Sequence, residues 1–202
     1  MILVIGTGGL SKQCIHILES KQEELVFFDD TENSPSDFFG HQVIKDLYDI
    51  EDEERFDFVI GIGNPKWRLH FYHLLTENYP GSPINIVSKN RSVSPLSTYG
   101  LGNIILDYSL IEAHAKIGSG NLINTYASIH HDVSINNFNE IMPGAIILGG
   151  AKIGNQCRIG TNSTILPNIE ICNNVVIGAG AVVTKSITES GTYVGIPARK
   201  IK

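Results

Sequence analysis

Isoleucine occupies every sixth position from residue 105 to residue 177, thirteen times without a gap. Valine or tyrosine continues the same register backward at 99, 93 and 87, and valine continues it forward at 183. A small residue often follows four places later, and glycine often follows directly. A period of six fits neither a helix nor a simple alternating strand. It predicts a chain that makes a short strand, turns a corner and repeats, with one inward aliphatic residue per side.

The first part of the chain has a different pattern, in which short apolar runs alternate with helical spacing. Residues 2–5 are apolar and end in "GTGG", after which apolar residues recur at helical intervals. Residues 25–28 and 58–62 form two more apolar runs, and the last is followed by Pro65, a residue suited to the first turn of a helix. Strands that alternate with helices predict a small Rossmann-like α/β domain with a parallel sheet.

Glycines and acids follow the predicted strands of this α/β domain. Gly6, Gly8 and Gly9 follow the first strand, and Asp29 and Asp30 follow the second. Ligands of such sheets bind beyond the carboxyl ends of the strands, where glycine lets backbone amides approach phosphate. The spacing alone is equally compatible with a tight turn. The acids suit hydrogen bonds from ribose or a base, or a strand that ends in water, and the third glycine of a dinucleotide fingerprint is absent.

Composition supports two domains and excludes several classes of protein. The 202 residues are 42% hydrophobic and 18% charged, which excludes a disordered or fibrous chain, and the net charge of −6 argues against nucleic-acid binding. Residues 1–84 hold 15 acids and 6 bases, whereas residues 85–202 hold 6 acids and 9 bases. We therefore expect a boundary near residue 84. The acidic run "IEDEE" at 50–54 is expected on the solvated surface.

The remaining composition indicates a cytoplasmic protein without metal or disulfide. No apolar run is long enough for a membrane span, and "MILVIGTGGL" lacks the features of a signal peptide. The three cysteines, Cys14, Cys157 and Cys172, are far apart, so neither a disulfide framework nor a paired-cysteine zinc site is indicated. By its position in the six-residue repeat, the Cys157 side chain points inward. Cys172 is expected to be exposed and to have no chemical role.

The six-residue period resembles the hexapeptide repeats of left-handed parallel β-helix acyltransferases. In that family three hexads make one coil, so residues 18 apart stack about 4.8 Å apart. The hexad at 129–134, "IHHDVS", places His130, His131 and Asp132 outward, and Gly149 lies 18 residues after His131. A histidine next to a carboxylate suits a general base, and an amide donor facing it suggests acyl transfer. Either histidine could act, and the register favours His131.

The order of an α/β domain, "NTYASIHHDVSI" and a hexad run ending in "GTYVGIPARKI" resembles sugar acetyltransferases of the sialic acid O-acetyltransferase type. Among these it resembles in particular the bacterial enzymes that N-acetylate nucleotide-linked 4-amino-6-deoxy sugars. The resemblance implies that His131 is the base, Asp132 its acidic partner and Gly149 the amide donor to the thioester. It implies that the glycine turn and Asp29–Asp30 bind the nucleotide, and that Asn124 lies near the acceptor sugar. Acetyl-CoA is the implied cosubstrate, with contacts from Gly149, Thr161, Gly195, Pro197, Ala198 and Arg199.

Outward apolar residues, such as Ile147 flanked by Ile146 and Leu148, predict packing into a trimer, and the resemblance implies a homotrimer with sites between subunits. The chain departs from the family pattern at Glu140 and Leu10, where many members have histidine, and at His130, where relatives often have an acid. An O-acetyltransferase for sialic acid or another sugar hydroxyl would use the same residues.

Two further alternatives stay open. The first is a zinc enzyme of the β-helix carbonic anhydrase kind. It is disfavoured because His114 lies 17 and 16 residues before His131 and His130 instead of 18. The second is a nonenzymatic nucleotide-sugar scaffold, which the histidine–aspartate pair disfavours.

Overall fold

The protein is described from a computed structural model that covers residues 1–50 and 55–202. The chain falls into two compact units, Met1–Ile86 and Val87–Lys202. Most of the acidic run expected on the solvated surface, residues 51–54, lies outside the described residues. No helix among the described residues is long and apolar enough to cross a membrane.

The N-terminal unit is a parallel sheet with two helices. Its elements are β1 (Ile2–Ile5), α1 (Gly9–Glu19), β2 (Leu25–Phe28), β3 (Asp37–Phe38), β4 (His41–Ile44), a 3-10 helix (Leu47–Asp49), β5 (Phe56–Ile60), α2 (Pro65–Asn78) and β6 (Gly81–Pro83). The strand order is β3-β4-β2-β1-β5-β6, and only β3 runs antiparallel to its neighbour. The apolar run at 58–62 predicted a strand that the structure places at β5. This strand begins two residues earlier, at Phe56, and ends at Ile60, because Gly61 and Ile62 already belong to the following loop.

The strand order of the sheet has a switch point at β1. The next strand of the chain, β2, pairs with one side of β1, and β5 pairs with the other side. Such a switch opens a crevice at the carboxyl ends of the strands. Ser11, which stands where a dinucleotide fingerprint has glycine, is fully buried and its hydroxyl donates to the Gly6 carbonyl (2.6 Å). A side chain at Gly61, in the loop that follows β5, would collide with that hydroxyl. The close approach of α1 to the sheet therefore depends on this glycine.

The second unit is built from two- to four-residue strands. They are β7 (Ile86–Val87), β8 (Ser92–Val93), β9 (Thr98–Tyr99), β10 (Ile104–Ile105), β11 (Leu110–Ile111), β12 (Lys116–Ile117), β13 (Leu122–Ile123), β14 (Ser128–Ile129), β15 (Ser134–Ile135), β16 (Glu140–Ile141), β17 (Ile146–Ile147), β18 (Lys152–Ile153), β19 (Arg158–Ile159), β20 (Thr164–Ile165), β21 (Glu170–Ile171), β22 (Val175–Ile177), β23 (Val182–Val183), β24 (Gly191–Val194) and β25 (Arg199–Lys200).

These strands form the three faces of a left-handed parallel β-helix, as the hexads predict. Face 1 contains β7, β10, β13, β16, β19, β22, β24 and β25; face 2 contains β8, β11, β14, β17, β20 and β23; face 3 contains β9, β12, β15, β18 and β21. Successive rungs pair in parallel at a spacing of 18 residues, for example Ile129 with Ile147. The hexad isoleucines are buried in one continuous core, and alanines at the small positions are buried with them. The α/β unit and the β-helix therefore confirm the predicted fold class.

Two features depart from the simple hexad rule. Tyr99 keeps the register but is exposed, because β9 is the first strand of face 3. At the other end the last coil is two residues shorter, since Ile177 pairs with Tyr193 and Ile187 with Ile171. At one corner, buried asparagines replace the small inward residue, and each side-chain oxygen accepts the backbone N–H of the next rung, as from Asn103 to Asn121 (2.8 Å).

Candidate active site

His131 and Asp132 lie in the turn between β14 and β15, on the edge that joins face 2 to face 3. The imidazole Nδ1 is 2.8 Å from Asp132 Oδ2. An ionised carboxylate only accepts hydrogen bonds, so this contact places the proton on Nδ1 and leaves the Nε2 lone pair available. Asp132 has a φ of +60°, a conformation that aspartate tolerates better than most residues. The pair has the geometry of a general base and its orienting acid.

Gly149 lies on the same edge, one coil further, and the imidazole rests against it. A Cβ at this position would lie 2.6 Å from His131 Cε1 and 2.7 Å from Nε2, so only glycine accommodates the ring as placed. Within residues 1–50 and 55–202, no acceptor engages the Gly149 backbone N–H. The structure thus brings the three residues together and leaves the Gly149 N–H without an acceptor among the described residues, and an unpaired backbone N–H is a group that can stabilise an oxyanion.

His130, the other candidate base, has a different partner. Its Nδ1 is 3.3 Å from Glu112 Oε2, and this carboxylate also accepts the backbone N–H of His131 (2.9 Å). The His130 side chain is about half as exposed as that of His131, at 30% against 65%. An open hollow beside His131 is lined by Ser92, Val93, Ser94, Pro95, Leu110, Ile111, Glu112 and Ala113.

Apart from Gly149, the residues assigned to the acceptor sugar and to coenzyme A lie on another edge of the same β-helix. Asn124 and Thr161 follow strands of face 1 and precede strands of face 2, and Gly195 to Ala198 turn against Val182 of face 2. Arg199 lies in β25, and its guanidinium donates to the Ala198 carbonyl (3.0 Å). The turns at these two edges, 125–126 and 131–132, are six residues apart along the chain, which is about 20 Å at 3.3 Å per residue. A single chain therefore does not bring these residues to His131.

The N-terminal unit has a cavity of about 540 Å³ at the carboxyl ends of its strands. Its lining consists of Ile5, Gly6, Phe28, Asp29, Asp30, Thr31, Leu47, Ile62, Trp67, His70, Phe71 and Leu74. Gly8 and Gly9 open helix α1 nearby, and a side chain at either would meet no atom within 4 Å, so their backbone is accessible. An apolar cavity with a few polar groups at a switch point suits a nucleotide.

The two acids of this cavity differ in their bonding. Asp29 accepts hydrogen bonds from the backbone and hydroxyl of Thr7 (2.9 and 2.6 Å) and from those of Thr31 (3.1 and 2.6 Å). Partial burial acts to raise the pKa of Asp29, but the bonds from Thr31 and Thr7 outweigh it and hold that pKa below the ordinary value. Four bonds use the acceptor capacity of one carboxylate, so Asp29 ties the glycine turn to β2. Asp30 is exposed and has no partner in the described part of the chain.

Cysteine residues take no part in this geometry. Burial raises the pKa of the Cys14 thiol to about 12 and that of Cys157 to about 11, so neither is a thiolate near neutral pH. Cys172, expected to be exposed, is half-buried against the core. Among the described residues, no cluster of three or more histidine, cysteine or acidic side chains could hold a metal ion.

Glu140 and Leu10, which stand where many family members have histidine, lie in different units of the chain. Glu140 is in β16 on face 1, almost buried, and pairs with Arg158 of the next rung (Nε to Oε2, 2.8 Å). Leu10 is buried in α1 of the N-terminal unit.

Sequence reasoning missed Glu112 and the aromatic wall formed by Trp67 and His70. Glu112 lies 18 residues before His130, so the spacing that joined His131 to Gly149 could have found it. Both aromatic residues lie in α2, which follows β5, and no local pattern distinguishes them from the other residues of this helix.

Comparisons with known proteins identify both parts of the chain. Residues 1–75 match the PglD N-terminal domain, and residues 132–167 and 150–185 match the bacterial transferase hexapeptide (six repeats). No curated protein matches in a sequence search.

Solved structures match over nearly the whole chain. The acetyltransferase domain of PglB from Neisseria gonorrhoeae, in complex with acetyl coenzyme A, is 28% identical with a TM-score of 0.90 over 99% of this chain and 98% of that chain. WeeI from Acinetobacter baumannii is 25% identical with a TM-score of 0.86 over 100% and 99%. PerB from Caulobacter crescentus, in complex with CoA and GDP-perosamine, is 23% identical with a TM-score of 0.92 over 100% and 97%, which shows the shared fold. With a PglD N-terminal domain and transferase hexapeptide repeats in one chain, this protein is an acyltransferase similar to the PglD-like sugar acetyltransferases of the sialic acid O-acetyltransferase type.

Proposed function

We propose that this protein transfers the acetyl group of acetyl-CoA to the amine of a nucleotide-linked amino sugar, such as a UDP-linked 4-amino-4,6-dideoxy sugar, in surface glycan biosynthesis. The observation that carries the proposal is the His131 ring, held by Asp132 and lying against Gly149, whose N–H has no acceptor within the described residues. PglB binds acetyl coenzyme A, and PerB binds CoA together with an amino-sugar nucleotide, GDP-perosamine. Both relatives therefore support this class of reaction.

The mechanism follows from the placement of two groups. The unprotonated amine attacks the thioester carbonyl, a carbon–nitrogen bond forms, and the oxygen becomes an oxyanion. His131 Nε2 takes the proton from the nitrogen while Asp132 stabilises the imidazolium, and the Gly149 N–H donates to the oxyanion. When the carbon–sulfur bond breaks, the imidazolium returns a proton to the thiolate. The reaction is complete without an acyl-enzyme intermediate. This agrees with the raised pKa values of the Cys14 and Cys157 thiols, which make neither of them a nucleophile near neutral pH.

The nucleotide would occupy the cavity of the N-terminal unit. Phosphate would meet the open backbone of Gly8 and Gly9 at the start of α1, where the helix dipole favours an anion. Asp30 would accept hydrogen bonds from ribose or base, since the oxygens of Asp29 are already engaged by Thr7 and Thr31. The backbone amides at Gly8 and Gly9 and the dipole of α1 would offset the repulsion between the phosphates and the net negative charge of residues 1–84.

The enzyme would act as a cytoplasmic homotrimer. His131 and Gly149 lie on the edge between faces 2 and 3, whereas Asn124, Thr161 and the turn at Gly195 lie on the edge between faces 1 and 2. In a ring of three subunits with head-to-tail contacts, the edge between faces 2 and 3 of one subunit would lie against the edge between faces 1 and 2 of the next subunit. The mildly basic β-helix would then surround the polyanionic coenzyme. A monomer in sedimentation analysis at micromolar concentration contradicts this assembly.

The alternative acceptor is a hydroxyl, as in a sialic acid O-acetyltransferase, and the same three residues would serve it. The test is a screen of nucleotide-linked 4-amino sugars and sialic acid with acetyl-CoA, read by release of free thiol. We expect turnover with an amino-sugar nucleotide and a drop of about 10²-fold or more in His131→Ala. Turnover of sialic acid alone would establish the alternative, and near-normal turnover in His131→Ala would remove the base assignment.

A further inference from the structure

Glu112 contacts the backbone of the proposed base from one coil below. Its Oε2 accepts the His131 backbone N–H at 2.9 Å and lies 3.3 Å from His130 Nδ1. The carboxylate therefore lies between the two neighbouring histidines, and its side chain is one-third exposed.

The turns on this edge of the β-helix do not require this hydrogen bond. The residues stacked with His131 on the same edge include Pro95, Ala113, Gly149 and Pro167. The two prolines have no N–H, and no acceptor engages the N–H of Ala113 or Gly149 in the described part of the chain. The turn thus forms equally well on other rungs without an acceptor. Among the described residues of this edge, only His131 has its backbone N–H held by a side chain. On the edge between faces 3 and 1, asparagines hold the N–H groups at the same hexad position, as at Ser119 and Asn137.

The position of the base depends on that backbone. The imidazole fits only against a glycine, with Nε2 2.7 Å from the place where a Cβ would lie, and Asp132 holds it at Nδ1. A small rotation of the peptide between His130 and His131 would carry the ring away from both. Hydrogen bonds to a charged acceptor are stronger than neutral ones, which suits a group that must restrain an exposed turn.

We propose that Glu112 is a positioning residue that holds the His131 peptide for acetyl transfer, while His130 orients the Glu112 carboxylate and does not act as the base. The inference rests on the proposed function of His131. It differs from a role in binding, because the contacts that carry it join Glu112 to the His131 backbone and to His130.

The test compares three variants by kcat and KM for both substrates. Glu112→Ala is expected to lower kcat about 10-fold, since even small misplacement of a catalytic group is costly, with both KM values within about 2-fold. Glu112→Gln keeps an oxygen that can accept the N–H and should recover most of kcat. The matched control is Glu170→Ala, which removes a carboxylate that pairs with Lys152 across one rung (2.7 Å) on face 3. It should keep wild-type kcat, and thermal unfolding should show all three folded.

A double variant separates this inference from the proposed function. If Glu112 acts through His131, Glu112→Ala should have no further effect on the residual turnover of His131→Ala. An equal loss in both backgrounds, a rise in the sugar KM without a loss of kcat, or normal kcat in Glu112→Ala overturns the positioning role. Near-normal turnover in His131→Ala is a separate result, which overturns the base assignment. If Glu112→Ala does not fold, a kcat for Glu112→Gln as low as about one-tenth of wild type contradicts the proposal.

Discussion

The contact between His131 and Gly149 makes Gly149→Ala a sharp test of the site. The added Cβ would lie 2.6 Å from Cε1 and 2.7 Å from Nε2, whereas carbon atoms in contact stay about 3.5–4.0 Å apart. The imidazole must therefore retreat by roughly 1 Å. A displacement of this size at the reacting group costs about 10²-fold in turnover. The backbone is not strained by the change, because Gly149 does not have a positive φ.

Stability should hardly change in this variant, since the His131 side chain is 65% exposed and the ring can move into solvent. We expect kcat for thiol release to fall about 10²-fold while the free energy of unfolding stays within about 0.5 kcal/mol of wild type. The control is the same substitution in His131→Ala, where no ring remains to be displaced and no further loss is expected. Turnover within about 3-fold of wild type in Gly149→Ala, or an equal loss in the control, refutes the reasoning.

Three other predictions follow from single contacts. Asp132→Asn should lower kcat by about 10-fold or more with little change in KM, because an amide stabilises the His131 imidazolium poorly; steady-state kinetics would show this, and an unchanged kcat contradicts it. Asn121→Ala removes a buried side-chain oxygen that accepts the backbone N–H and the side-chain amide of Asn139 on the next rung, and it should lower the free energy of unfolding by about 1–3 kcal/mol in denaturant titrations. Because the pKa of Asp29 is lowered in the folded protein, its stabilising contribution is present above the unfolded pKa of about 3.9 and is lost as pH falls through the folded pKa. Acid unfolding should therefore be less steep in Asp29→Asn, and an unchanged acid transition would contradict the role of its bonds to Thr7 and Thr31.

The β-helix was predictable because burial is periodic along its sequence. Each hexad places one isoleucine in the core, so a local pattern determines the architecture and the 18-residue register. The pairing of His131 with Gly149 follows from the same register. The end of the repeat was not predictable in this way, because the coil shortened at Ile187 is set by contacts of the C-terminal strands β24 and β25.

Contacts between outward side chains were harder to foresee, because the hexad pattern leaves those positions unspecified. Glu112 and His130 meet only because their rungs stack, and nothing near either residue in the sequence marks the pair. In the N-terminal unit, the apolar runs and glycine turn predicted the sheet. The hydrogen bonds that engage Asp29 and leave Asp30 exposed depend on how β1 and β2 lie side by side.

The sequence by itself determined the repeat, the α/β unit before it and a histidine–aspartate pair 18 residues from a glycine, because all three are expressed in local periodicity and spacing. Only the tertiary structure showed that the His131 ring rests on Gly149, that a carboxylate from the preceding rung holds its backbone, and that the residues assigned to the acceptor sugar lie on a different edge. The physical reason is that stacking converts distance along the chain into contact across rungs, and the shape of each outward side chain decides which of those contacts form.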